Sequence, residues 1–344
     1  LDPLIFTAIP VGLVFGFALS RGRFCMNSAF RDIIVLKDYT LLKAVALAIL
    51  VSMIGFAIMD RTGVISVSPV TFWWGANMLG GFIFGIGMVL AGGCASGITY
   101  RTGEGMVSAM VAVVGLTFFG LLTSMGVFNP FIDSLRSATT VTLSDGANLT
   151  LANVFGIPYY ILALAIAGVA LILWAIFGKK GEKASESVSL NDKIFKQGWD
   201  WKFTGIVIGL IGIAAFYTST IAGRSYPLAI TGGYLSTAKS LIMGENLMTW
   251  LPIMVMSTIV GAFLAAIISG EFKLRAPAPK TLIQCFIGGC LMGFGAVCSG
   301  GCNITHILSG VPQLALSSML GGAFIILGCW ATAWWMFLRP MREL

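Results

Sequence analysis

Read for hydrophobic and polar positions, the chain is a series of long apolar runs separated by short polar ones. Runs of membrane-spanning length, about 20 residues each, fall near 3–20, 41–59, 72–91, 106–126, 156–178, 203–222, 249–269, 281–299 and 314–338. This pattern predicts an all-α integral membrane protein of about nine transmembrane helices. The one long polar connection, 179–202, reads "KKGEKASESVSLNDKIFKQGWDWK" and is expected to link two halves. Residues 3–20 lack the basic leader and A-x-A-like end of a cleavable signal peptide, so the first run is expected to remain as a span.

Composition agrees with the pattern. The chain is 57% hydrophobic and only 10% charged, against about 25% charged in soluble domains, and its mean hydropathy is +0.93. The excess of 21 Lys+Arg over 14 Asp+Glu is therefore read as loop charge and not as a nucleic-acid footprint. With 21–40, 92–105, 179–202, 270–280 and 339–344 on one side, and Lys43 counted at its helix end, that side holds 17 of the 21 basic residues. The positive-inside rule makes it the cytoplasm, with the N-terminus outside and the C-terminus inside.

The two halves resemble each other. At an offset of 208, Gly80, Gly81, Gly85, Gly87, Gly92, Gly93 and Cys94 fall on Gly288, Gly289, Gly293, Gly295, Gly300, Gly301 and Cys302. At a nearby offset, Gly22-Arg23 falls on Gly223-Arg224, with Tyr226 in the register of Cys25. The first run passes inward and its counterpart passes outward, so the repeats are expected to be inverted. We assign 1–126 to the first repeat, 127–202 to a connecting helix and linker, and 203–344 to the second. Inverted repeats are a recurring transporter plan, with the substrate site near the midplane at interrupted helices.

Each copy of Gly-Gly-Cys ends an apolar run, "GMVLAGGCASG" in the first half and "GAVCSGGCNI" in the second. Small residues let the chain turn back into the protein, and the next helical stretch offers N–H donors and a positive dipole end to an anion. Close helix packing through small residues is the plainer explanation of one copy, but it does not require cysteine at both equivalent positions. The candidate path residues are thus Cys94 and Cys302 with Gly92, Gly93, Gly300 and Gly301, and beside them Ser96 and Asn303. In "RGRFCMNSAFRD" Arg21 reads as an anchor, whereas Arg23 and Cys25 read as functional. Arg224 would be the matching cation at the outer mouth, where either basic residue would attract an anion. Cys298, four residues before Cys302, is a further candidate. Cys285, Cys290 and Cys329 are read as packing residues and His306 as a local hydrogen-bond partner. The tryptophans suit interfacial belts. An odd number of cysteines, a single histidine and no C-x-x-C argue against a disulfide framework and a zinc or haem site, so no metal or cofactor is expected.

At "GRFCMNSAFRD", "GMVLAGGCASG" and "GAVCSGGCNI" the chain resembles the YeeE/YedE family of sulfur-compound transporters. The resemblance implies thiosulfate uptake across the inner membrane by an hourglass-shaped protein whose re-entrant loops meet centrally. It also implies a small cytoplasmic sulfur-carrier partner of the TusA type, and path cysteines at Cys25, Cys94 and one of Cys298 and Cys302, of which Cys302 fits the repeat better. Physically, a bare dianion is strongly disfavoured in a slab of low dielectric. Weak thiol donors in series would replace part of its hydration without trapping it. The alternatives are a membrane-embedded sulfurtransferase using a Cys persulfide, a carrier of another sulfur or selenium anion, and a soft-metal transporter. The last would want Met or Cys clusters and acidic vestibules, which the sequence lacks.

Overall fold

The computed structural model describes residues 3–67, 69–143, 146, 148–177, 194–244 and 249–342. Most of the expected linker therefore lies outside the described residues. Among those described, nine helical stretches are long and apolar enough to span a membrane, as the pattern of runs predicted. The first-half helices are α1 (Ala8–Arg21), α2 (Met26–Val35), α3 (Thr40–Arg61), α4 (Trp74–Leu90), α5 (Ala95–Gly103) and α6 (Val107–Ser124). Then come α7 (Asn129–Thr139), the short α8 (Leu151–Phe155) and α9 (Tyr159–Phe177). The second half holds α10 (Trp201–Ile221), α11 (Thr231–Met243), α12 (Trp250–Ile268), α13 (Pro279–Ser299) and α14 (Leu316–Ala333), with a π-helical turn at Ile304–Gly310 before α14. A two-residue antiparallel ladder, Phe72 with Val141 and Trp73 with Thr140, is the only sheet among the described residues.

Glycine sets how closely the helices approach. A Cβ on Gly80 would stand 2.7 Å from the Gly295 carbonyl oxygen, and one on Gly288 2.8 Å from that of Gly87. The α4–α13 crossing is thus backbone on backbone, and its two contacts exchange under the 208-residue offset. The flanking helices repeat this exchange. Gly85 lies against the Ile325 carbonyl and Gly293 against that of Leu116, while Gly55 faces Ile213 and Gly261 faces Leu13. Without a hydrophobic force between helices in lipid, such close contact is a main source of association.

Two polar faces emerge from the loop contacts. On one, Trp199 N–H bonds the Arg21 carbonyl, Val107 N–H bonds that of Arg275, Ser20 Oγ donates to Glu104 at 2.7 Å, and Arg21 pairs with Glu271 at 2.6 Å. On the other, Arg61 donates to Tyr160, Asn148 to the Pro69 carbonyl, and Tyr159 to that of Pro312. These are the groupings of loops that the charge count placed on opposite sides.

Two expectations need correction. The stretch 21–40 is not all loop, because α2 occupies its middle with Met26, Asn27, Ala29 and Phe30 buried. The polar residues around it hid a helix that docks on one face only. Second, the resemblance of Gly22-Arg23 to Gly223-Arg224 is out of register in space. The turn ending α1 bonds Phe24 N–H to Leu19, and the turn ending α10 bonds Arg224 N–H to Ser219. That pairs Arg23 (φ 45°) with Gly223 (φ 82°) as the left-handed residue, so the hydrogen bonds that close the helix, and not the repeated letters, define equivalence.

Candidate functional site

Cys25 and Cys94 are each the N-cap of a helix, α2 and α5, with extended backbone and essentially no exposure. The Cys94 sulfur accepts from the Gly97 N–H at 3.4 Å, as a Ser or Asp cap would with oxygen, and lies 3.3 Å from Ser96 Oγ. The two sulfurs are 3.7 Å apart. Gly97 makes that approach possible, since a Cβ there would be 2.7 Å from the Cys25 sulfur. Gly92, at φ 69°, turns the chain out of α4, and its carbonyl takes an N–H from Arg101. Gly93 adopts no such conformation, and a Cβ there would meet only ordinary to slightly tight neighbours.

Asn303 joins this pair to the second half. Its Oδ1 accepts from the Ala95 N–H at 3.2 Å, and its Nδ2 lies 3.2 Å from the Met26 sulfur. Ala95 and Asn303 are themselves 208 apart, so the bond sits where the two copies meet. On its other side Asn303 adjoins Cys302, whose sulfur is 3.5 Å from Thr305 Oγ1. Gly300, at φ 81°, makes the turn that Gly92 makes in the first copy.

Cys302 lines a cavity of about 410 Å³, together with Gly300, Gly301, Arg136, Arg224 and Tyr226. The Arg224 guanidinium donates to the Tyr226 and Pro227 carbonyls, both at 2.7 Å. Burial pushes its pKa down to about 10, which leaves it a cation at neutral pH. Tyr226 donates to the Thr305 carbonyl at 2.9 Å. The sequence alone did not single out Arg136. It comes from α7, donates to the Val297 and Cys298 carbonyls at the end of α13, and stacks over Trp73 at 4.2 Å. No local motif marks it.

The remaining candidates lie elsewhere. The Cys298 thiol faces α4, donating to the Ala76 carbonyl at 3.6 Å. Arg23 is largely exposed on the opposite face, 3.6 Å from Glu271. His306 is fully buried between Ser299 and Ser318, each at 3.3 Å, and is a local hydrogen-bond partner. Trp250, read as interfacial, is 1% exposed and bonds Thr7.

Apolar helices of membrane-spanning length enclosing a buried, thiol-bearing centre, with a basic cavity on one side of it, define a polytopic membrane transporter. A sequence profile of the family described as sulphur transport matches residues 21–331, and the chain belongs to that family. Among its relatives is the thiosulfate transporter TsuA of Spirochaeta thermophila, 42% identical over 98% of this chain and all of that protein. The thiosulfate transporter TsuA of Escherichia coli is 30% identical over 99% of this chain and 97% of its own length. The probable transporter YedE of Escherichia coli matches more narrowly, at 39% identity over 31% of this chain and 26% of its own.

Proposed function

We propose that the chain carries thiosulfate inward across the inner membrane along a path that runs from the Arg224 cavity past Cys302 to Cys94 and Cys25. The observation that carries this reading is the Asn303–Ala95 hydrogen bond, a 3.2 Å link between the Cys302 turn and the Cys94 turn. The names of the two full-length relatives support thiosulfate as the cargo. The chemistry supports it too. N–H groups at the start of α2 and α5 favour an anion, and neutral thiols are weak donors that need not hold it. The reciprocal glycine contacts support two inverted repeats, 1–126 and 203–344, joined by 127–202 and meeting in an hourglass. The loop charges support an outer N-terminus and a cytoplasmic C-terminus. A TusA-like carrier would then receive the sulfur on the face that holds Arg23, Glu104 and Glu271.

Purified protein in proteoliposomes tests the reading. Labelled thiosulfate should accumulate, and labelled sulfate should not. Equal accumulation of both would leave the sulfur of the cysteines without a purpose and would sink the proposal.

A further inference from the structure

Two of the seven free cysteines meet. The Cys25 and Cys94 sulfurs are 3.7 Å apart, whereas Cys298, Cys302 and Cys329 turn theirs to oxygen, at the Ala76 carbonyl, Thr305 Oγ1 and Asn27 Oδ1. A disulfide brings its sulfurs to about 2.0 Å, so the remaining gap is short. Both cysteines are N-caps with extended backbone, outside the helical turns that restrict a side chain's first rotamer. Gly97 keeps the space beside them clear, since a Cβ there would stand 2.7 Å from one sulfur and 3.5 Å from the other. The pair is buried but not deep. Gly92, two residues before Cys94, is exposed, and Arg23, two residues before Cys25, has 74% of its side chain in solvent. The thiolate is the form that attacks an oxidant, and donors gather at the Cys94 sulfur. They are the Gly97 N–H, Ser96 Oγ and the Cys25 thiol, with the Arg101 guanidinium 3.3 Å from a Cβ on neighbouring Gly93.

We infer that Cys25 and Cys94 are a reversible disulfide site, closed by peroxide and opened by small thiols, and that its closure stops uptake; the last clause rests on the path proposed above. The Cys94 sulfur attacks one peroxide oxygen, the O–O bond breaks, and hydroxide leaves a sulfenic acid on Cys94. The Cys25 sulfur then attacks the Cys94 sulfur. The S–S bond forms, the S–O bond breaks, and the departing hydroxide takes the Cys25 proton as water. Two thiols are oxidised by two electrons in all, and one peroxide is reduced to two waters. Two molecules of a small thiol reverse the change by exchange, leaving both cysteines reduced and their own disulfide behind. A thiol has a hydrogen to donate and a disulfide has none. Closure therefore removes two donors from the path and ties the start of α2 to the start of α5.

The test treats the full chain in proteoliposomes with hydrogen peroxide. Uptake of labelled thiosulfate should fall to a small fraction of the untreated rate, and dithiothreitol should restore it. Mass spectrometry of the digested protein should find the Cys25 and Cys94 peptides joined and two hydrogens lighter than their sum, while Cys302 still alkylates. In Cys25→Ala the sulfenic acid on Cys94 has no thiol to resolve it, so dimedone should trap it there. A triple variant, Cys285→Ala with Cys290→Ala and Cys329→Ala, keeps the pair and should lose and regain uptake as wild type does. The inference is overturned if both thiols still alkylate after peroxide, if uptake is lost without joined peptides, or if dithiothreitol does not restore it. Peroxide-resistant uptake, in the wild type or the triple variant, overturns it as well. If the peptides join and part again while untreated proteoliposomes take up no thiosulfate, the disulfide site stands and the transport reading falls.

Discussion

At the scale of single residues, the site depends on where sulfur is held and on what keeps that space clear. Cys94→Ala, Cys302→Ala and Cys25→Ala should each nearly abolish thiosulfate uptake. Each removes one buried sulfur, so stability should fall by about 1–2 kcal/mol at most. Cys285→Ala is the control, since that thiol sits in the second turn of α13 and does not line the cavity. Uptake into proteoliposomes, normalised to reconstituted protein, decides the matter, and the assignment fails if all four variants behave alike. The Ser variants separate two roles of sulfur. Cys94→Ser keeps an acceptor for the Gly97 N–H, so full uptake would mean that hydrogen bonding suffices without sulfur. Gly97→Ala is a subtler probe, because it adds one methyl 2.7 Å from the Cys25 sulfur. We expect uptake to fall as far as in Cys25→Ala, with a loss of about 1–3 kcal/mol for overpacking. Normal uptake would mean that the two thiols need not meet.

At the scale of elements, two kinds of glycine are at work, and they should respond differently. Gly92 and Gly300 have φ of 69° and 81°, where a side chain costs about 1–2 kcal/mol. Gly288 and Gly295 are ordinary helical glycines pressed on the backbone of α4, at 2.3 Å and 2.5 Å from the would-be Cβ. Backbone cannot rotate aside as a side chain can. Gly288→Val and Gly295→Val should therefore lower the thermal midpoint in detergent strongly, at or beyond the about 1–3 kcal/mol typical of overpacking. Gly168→Val should barely move it, since nothing lies within 4 Å of a Cβ there. Matching midpoints for Gly288→Val and Gly168→Val would mean that the α4–α13 crossing does not hold the halves together. The helices α2, α7 and α11 belong to this scale as well. They are short and partly polar, and each has one end at the site, so their apolar signal was too weak to separate them from loops in the sequence.

At the scale of the whole molecule, the proposed inverted plan makes a prediction about sidedness. Single cysteines introduced at 194–198 should react with an impermeant thiol reagent only from the cytoplasm, and those at 140–143 only from outside. Labelling of both from one side would refute the proposed orientation. It would leave the contact geometry intact, because reciprocal contacts such as Gly80–Gly295 and Gly87–Gly288 do not depend on which compartment is which.

The number of spans, their alternation and the paired Gly-Gly-Cys turns were legible in the sequence, for a physical reason. A bilayer demands about 20 apolar residues per crossing whatever the partners are, and a duplicated turn needs glycine at the same place in both copies. Cys25 and Cys94 could be named from the sequence, but not their 3.7 Å approach, which depends on Gly97 and on the meeting of two N-caps 69 residues apart. The one-residue shift between Arg23 and Gly223 was invisible too, because closing a helix with a hydrogen bond to Leu19 or Ser219 is a matter of backbone, not of residue type. Arg136 left no trace at all. A lone arginine acquires meaning only when α7 brings it to the wall of the Cys302 cavity. Hydropathy is a local property and can be read locally. A binding site joins groups distant in the chain, and packing decides which of them meet.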